Sequence, residues 1–434
     1  MTLTKGLVMP FFGDHPLRYA LANELHARPF PLVNTPSQAA YIAMKHAAGD
    51  APRARTAERA HLIDLLDRFD VSHPKPNATH FSGSIGRYTL KWESHTEFVT
   101  YTIFGDGTDD HPFSAEAFAV FPEDWLALAP GECVTSALIR VEPGPDDASI
   151  TKKAAKWFVP ESLAISRVLD DALVIAADFR IDSAGHMRLA VFPRPEVGSQ
   201  RIGRVVQRLC EIETYKSMAM LGLTEARGLS SQMTLAESKL SNILADMATA
   251  DSDPANVLTQ LLAVSGQVEN MGAQSAYRFA ATGAYEQIVN QRIDVLREDR
   301  FEGRQTFGEF MMRRFDPAMR TVNATERRLQ EMSARALRAG ELLRTQVDVE
   351  RSAQNQALLT SMDKRADLQL RLQKTVEGLS VVAVSYYAVN ISLYVLGPLE
   401  KAYGISKIFL AAGVTPVVLI FVWLLLHRVH KQSD

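Results

Sequence analysis

Cysteine is nearly absent. Cys133 and Cys210 are the only two, far apart and in no metal-ligand spacing. This argues against a disulfide framework or a cysteine-ligated zinc site and suits a reducing compartment. Excess charge is missing too. A formal net charge of -3 over 434 residues gives no electrostatic basis for a nucleic-acid partner. There is no Walker A loop, no G-x-S-x-G, no H-E-x-x-H and no G-x-G-x-x-G, so the familiar nucleotide-binding and hydrolytic sites have no representative. No catalytic residue and no metal ligand is assigned, and the expectation is a protein that is not an enzyme and has no cofactor. The acidic GDGTDDHP (Gly105 to Pro112) has the wrong spacing for a calcium loop and reads as a polar turn. A divalent cation stays open as a ligand, without a motif to hold it. The opening MTLTKGLVMPFFGDHP has a short apolar run broken by Pro10, so it is not read as a signal peptide, and the bulk of the chain is expected not to be exported.

Two runs lack charged residues altogether, 379–396 and 408–426. Each is long enough to cross a hydrocarbon core, the first only just. The expectation is a C-terminal two-helix transmembrane hairpin with the lipid bilayer as partner, joined by the loop GPLEKAYGISK. Lys364, Arg365, Arg371 and Lys374 precede it, Arg428 and Lys431 follow it, and only Lys401 and Lys407 lie between. That bias places both termini in the cytoplasm of a bacterial inner membrane protein, with residues 427–434 as a basic tail.

Between 199 and 378 proline is sparse, and the two strong breaks look alike: Asp253-Pro254 and Asp316-Pro317. An aspartate can cap a helix start, and proline fits the first helical position. The expectation is a stalk of three long helices, 199–250, 254–314 and 317–378. Apolar residues on a 3,4 alternation, such as Leu209, Ile212, Ala219, Leu223 and Ala226 in the first and Leu258, Leu261 and Val268 in the second, imply antiparallel coiled-coil packing. Arg297, Arg300, Arg304, Arg313, Arg314 and Arg320 crowd the second turn among interleaved acids, the pattern of a solvated, salt-bridged surface.

Residues 1–198 read as an α+β cytoplasmic domain, a mostly antiparallel sheet with helices on it. RYTLKWESHTEFVTYTIF alternates about a turn at Ser94–His95, ECVTSALIRV is a strand, and ALVIAADFRIDSAGHMRLAVF is a hairpin turning at Asp182–Gly185. Helices are expected over 15–27, 37–48 and 56–69.

Two groups of residues stand out as candidate sites. In HPLRYALANELHARPFP (His15 to Pro31), Arg18, Asn23, Glu24, His26 and Arg28 do not follow a simple outward face. They form either a corner for a ligand or partner, or a capped helix in which Glu24 and Arg28 pair at i,i+4. In the first apolar run, Tyr386, Asn390 and Tyr394 recur every four residues and make one polar stripe. The stripe lines a pore or holds helices together.

HPLRYALANELHARPF, ADFRIDSAGHMR and VVAVSYYAVN resemble a bacterial family of uncharacterised membrane-anchored proteins, domain-of-unknown-function family 3422, along nearly the whole chain. That resemblance implies no activity and no site residues. The order of parts also resembles the CorA-type cation channel superfamily, which implies a homo-oligomer that conducts or senses a small ion. That superfamily carries Gly-Met-Asn at the outer end of the first span, where this chain has Tyr403-Gly404-Ile405-Ser406 between Lys401 and Lys407. The functional expectation is therefore a homo-oligomeric inner-membrane ion channel, transporter or ion sensor. The alternatives are a membrane-anchored scaffold or sensor without transport, and lastly an enzyme using His15–Pro31.

Overall fold

The computed structural model describes residues 15–24, 29–46, 51–247, 253–403 and 406–430. In chain order its elements are α1 (Arg18–Glu24), β1 (Ser37–Lys45), α2 (Ala51–Arg68), β2 (His80–Ile85), β3 (Tyr88–Ser94), β4 (Phe98–Asp106), a 3-10 turn (Ala115–Val120), α3 (Glu123–Ala127), β5 (Glu132–Val141), α4 (Asp147–Trp157), β6 (Ala164–Val168), β7 (Leu173–Ile181) and β8 (Met187–Pro193). Then come α5 (Ser199–Met247), α6 (Pro254–Leu296), β9 (Asp299–Arg300), α7 (Phe307–Arg314), α8 (Asp316–Tyr403) and α9 (Lys407–His430). The chain divides into two compact units, residues 1–248 with 260–338, and residues 249–259 with 339–434.

The first unit is mixed α/β. Among the described residues, nine strands form one sheet in the order β2-β3-β4-β1-β5-β8-β7-β6-β9. All neighbours are antiparallel except β5 and β8, which are parallel. Alternation along the strands sorts side chains onto two faces. On one face Ile42, Leu90, Trp92, Tyr101 and Ile103 pack with Leu62, Leu65 and Leu66 of α2 and Trp125 of α3. Further along, Ile165, Val174 and Phe192 pack with Ile150, Ala154 and Trp157 of α4. The other face carries Tyr41, Phe98, Thr100, Thr102, Thr135 and Ala137, and α5 lies on it, with Tyr41 bonded to Thr214 and Thr135 to Glu213.

The helix expected over 37–48 is a strand instead. SQAAYIAMK forms β1, between β4 and β5 near the middle of the sheet. Nearly all of it is buried on both faces. Its apolar residues therefore run without the two-residue alternation that marks a half-exposed strand.

The long helices start where the sequence places them but break elsewhere. Asp253 accepts from the Ala255 N–H at 3.1 Å, a cap at the start of α6. The helix expected to run on to 314 ends at Leu296. Arg297, Glu302 and Gly303 take φ of +48°, +46° and +73° there, a left-handed backbone that no α-helix continues. The intervening β9 joins the sheet edge through Ser166↔Arg300. The Asp316-Pro317 pair is only a joint: Phe315, still near α geometry at φ -87° and ψ -48°, separates α7 from α8. Within the first unit α6 runs antiparallel to α5, pairing Arg292 with Glu211 and Thr282 with Ala219. It is likewise antiparallel to α8, where Asn323 reaches Glu286 and Ser333 reaches Glu269.

In the second unit, α8 contains the first apolar run and α9 the second; both are long and apolar enough to cross a membrane. The connection is shorter than GPLEKAYGISK, because α8 continues through Pro398 to Tyr403 and α9 begins at Lys407.

Candidate functional site

A cavity of about 430 Å³ opens between the sheet and the helices of the first unit. This lies within the usual size range of small-molecule pockets. Its floor is Tyr41 of β1, Lys91 and Glu93 of β3, and Phe98, Thr100, Thr102 and Phe104 of β4. Gln207, Arg208, Cys210, Glu211, Thr214 and Tyr215 of α5 roof it, Arg292 and Val295 of α6 close one side, and Phe30, Pro31 and His95 complete the lining.

The floor is polar because of strand register. Lys91 stands opposite Thr102 and Glu93 opposite Thr100, so these residues share one face beneath α5. The polar groups form a chain across three elements. Lys91 is buried, lies 3.1 Å from Glu93 and donates to Gln207 Oε1 at 2.7 Å. Gln207 donates to Glu211 at 2.8 Å, and Glu211 accepts from Arg292 of α6. Thr214 gives its proton to the Cys210 carbonyl at 2.9 Å, so Tyr41 is the donor in the Tyr41–Thr214 bond.

Burial decides the acid–base character of the lining. It pushes the Tyr41 phenol well above its usual value, with Cys210 nearby adding to the effect. It also pushes the Cys210 thiol far up. Both groups stay protonated at neutral pH, and a protonated thiol is a poor nucleophile. Neither is an activated attacking group; the other polar lining residues supply hydrogen bonds and charge.

Phe98 ties the cavity to the helices. Its ring lies 5.8 Å from Tyr215 and 6.4 Å from Tyr285, edge-on in both contacts. Next to it Glu97 is buried, pairs with Arg278 and accepts from Tyr285 at 2.7 Å. Burial pushes its carboxyl up, but the bonds from Arg278 and Tyr285 outweigh it and hold it below the usual carboxylate range.

The buried histidine His61 lies on the other face of the sheet and serves the core. Its Nε2 is 2.9 Å from the Trp125 carbonyl and must donate there, so Nδ1 accepts from Tyr101 at 2.9 Å. Burial lowers its pKa.

Of the residues singled out in the sequence, Arg18 is exposed on α1. Asn23 and Glu24 belong to the same short helix, and His26 and Arg28 lie outside the described residues. The end of that stretch reaches the cavity through Phe30 and Pro31. Tyr386 and Tyr394 are exposed on α8 and Asn390 is half-buried. Sequence reasoning passed over Lys91, Glu93, Arg208 and Glu211. The available signal was the pair Lys91 and Glu93, two charges on one face of a strand that carries no other charge. Among the arginines of the second turn, Arg297 pairs with Asp170 at 2.7 Å and Arg300 with Glu309. Among the described residues no group of three His, Cys, Asp or Glu side chains could hold a metal ion.

The model of one family, described as Protein of unknown function (DUF3422), matches residues 13–433. No curated protein matches the chain.

Proposed function

The chain belongs to the DUF3422 family, and from that premise we propose a membrane-anchored sensor: a binding protein whose apolar helices hold it in a bilayer and whose α/β unit takes a small molecule. The observation that carries this reading is the cavity over β3 and β4. It combines a cavity of about 430 Å³, a connected set of polar groups and apolar walls, the usual makeup of a ligand site. Its protonated Tyr41 and Cys210 favour binding over covalent chemistry. α8 and α9 support the anchor by length and composition, and the basic flanks support an inner-membrane hairpin with both termini in the cytoplasm.

The ion-conducting alternative has one observation in its favour: Tyr386 and Tyr394 are exposed on a single chain. A pore would need copies of the chain around an axis. The anchor reading uses the same stripe as contact between helices or copies.

The topology is tested with reporter fusions at Met1 and Asp434 alongside carbonate extraction of membranes. Cytoplasmic reporter activity at both ends and retention in the extracted membrane are expected. A C-terminal reporter active only outside the cytoplasm, or release of the chain by carbonate, would overturn the anchor.

A further inference from the structure

The lining cations Lys91 and Arg292 each meet a carboxylate, Glu93 and Glu211 respectively. Arg208 does not. It lines the same cavity, is half-buried, and among the described residues has neither an ion pair nor a hydrogen-bond acceptor. A guanidinium carries five N–H donors in a fixed fork suited to carboxylate or phosphate. Leaving it half out of water with none engaged is unfavourable. One turn earlier on α5, the exposed Arg204 likewise meets no carboxylate among the described residues. Burial and the positive charges of Arg204, Arg292 and Arg297 together pull the Arg208 pKa below the ordinary guanidinium value, against the smaller opposing pull of Glu211. The cavity thus has positive charge that its own acids do not balance, beside apolar walls at Phe104 and Val295.

We propose that the cavity binds a small organic anion whose carboxylate or phosphate group is held by Arg208 and whose apolar body lies against the Phe104 and Val295 walls. This rests on the ligand-binding reading above and names its ligand class. A neutral ligand leaves Arg208 unmatched, and a cationic one is repelled by it. At about 30 Å³ for each water-sized portion of volume, the cavity holds on the order of a dozen non-hydrogen atoms. That is the scale of a substituted aromatic acid or a small phosphate ester.

The test is calorimetric titration of the detergent-solubilised full chain at fixed ionic strength with four probes built on one phenyl ring: benzoate, phenyl phosphate, benzamide and benzylamine. Benzoate or phenyl phosphate is expected to bind roughly tenfold or more tightly than benzamide and benzylamine, and which anion binds better separates a carboxylate ligand from a phosphate. Arg208→Gln should weaken anion binding about tenfold or more, and Arg208→Lys should restore part of it. Without probe, Arg208→Gln should melt within about a degree of the wild type, because no ion pair or hydrogen bond among the described residues is lost; a clearly lower midpoint would mean Arg208 is structural and overturn the assignment. Binding of benzamide or benzylamine equal to that of the anions, or anion binding indifferent to Arg208→Gln, overturns the ligand class and leaves a ligand cavity standing. Failure of all four probes overturns the ligand class and the binding reading together.

Discussion

Replacing Gly203 by alanine tests how the cavity wall is held. Gly203 lies in the first turns of α5, and a Cβ there would sit 1.7 Å from the Pro31 carbonyl oxygen and 2.8 Å from its carbon. A close carbon–oxygen contact needs roughly 3.3 Å, so backbone must move by about 1.6 Å. The segment cannot move freely, because Val33 is buried and donates to Ser199 at 3.2 Å. Overpacking of this kind costs about 1–3 kcal/mol. The gain in helix propensity from glycine to alanine returns about 1 kcal/mol. Gly228, on the exposed side of the same helix, has nothing within 4 Å of its would-be Cβ. Gly228→Ala should therefore show only the gain. Thermal unfolding of the two full-length variants in one detergent isolates the clash, with Gly203→Ala below Gly228→Ala by about 1–3 kcal/mol. Phe30 and Pro31 line the cavity, so Gly203→Ala should also weaken binding of any probe the cavity accepts. Equal stability of the two alanine variants would refute the close packing of the 29–33 segment on α5.

Glu97→Ala leaves the half-buried Arg278 and the Tyr285 hydroxyl without the carboxylate they share and should cost about 2 kcal/mol in denaturant unfolding; a loss under 1 kcal/mol would mean the pair is dispensable. His61 has a lowered pKa in the folded state, so its neutral form supports the fold, and that support is lost as pH falls below the unfolded value near 6.5. His61→Gln should be less stable than wild type at pH 7.5, with the gap narrowing toward pH 5.5; a widening gap contradicts the assignment. Asn390→Leu should weaken helix or oligomer association by about 1 kcal/mol in a crosslinking assay and leave proteoliposome ion flux unchanged, whereas loss of flux with the oligomer intact would favour a pore.

The hairpins of the sheet were legible because β3, β4, β7 and β8 retain alternation or clear turn residues, such as Asp182 to Gly185. β1 was not, since both of its faces are covered and its pattern is nearly uniform. The end of α6 was hidden for a different reason. Asp316-Pro317 has good capping chemistry, but the chain turns at Arg297 through a left-handed backbone supported by contacts with β6, Leu169 and Asp170 that no local spacing announces. The cavity could not be assembled from sequence: Lys91, Gln207, Glu211 and Arg292 lie on three separate elements, and no local spacing links them. Phe30 and Pro31 were within reach, as they close the one N-terminal stretch that had already stood out.

Hydrogen exchange on the full-length protein in lipid nanodiscs, with and without a saturating concentration of whichever of benzoate and phenyl phosphate binds more tightly, tests the ligand-binding account most directly. Slower exchange is predicted in 88–104 and 203–215, the strands and helix that line the cavity, with α4 unchanged on the opposite face of the sheet. Unaltered exchange in both lining segments, or protection confined to residues away from them, would contradict it.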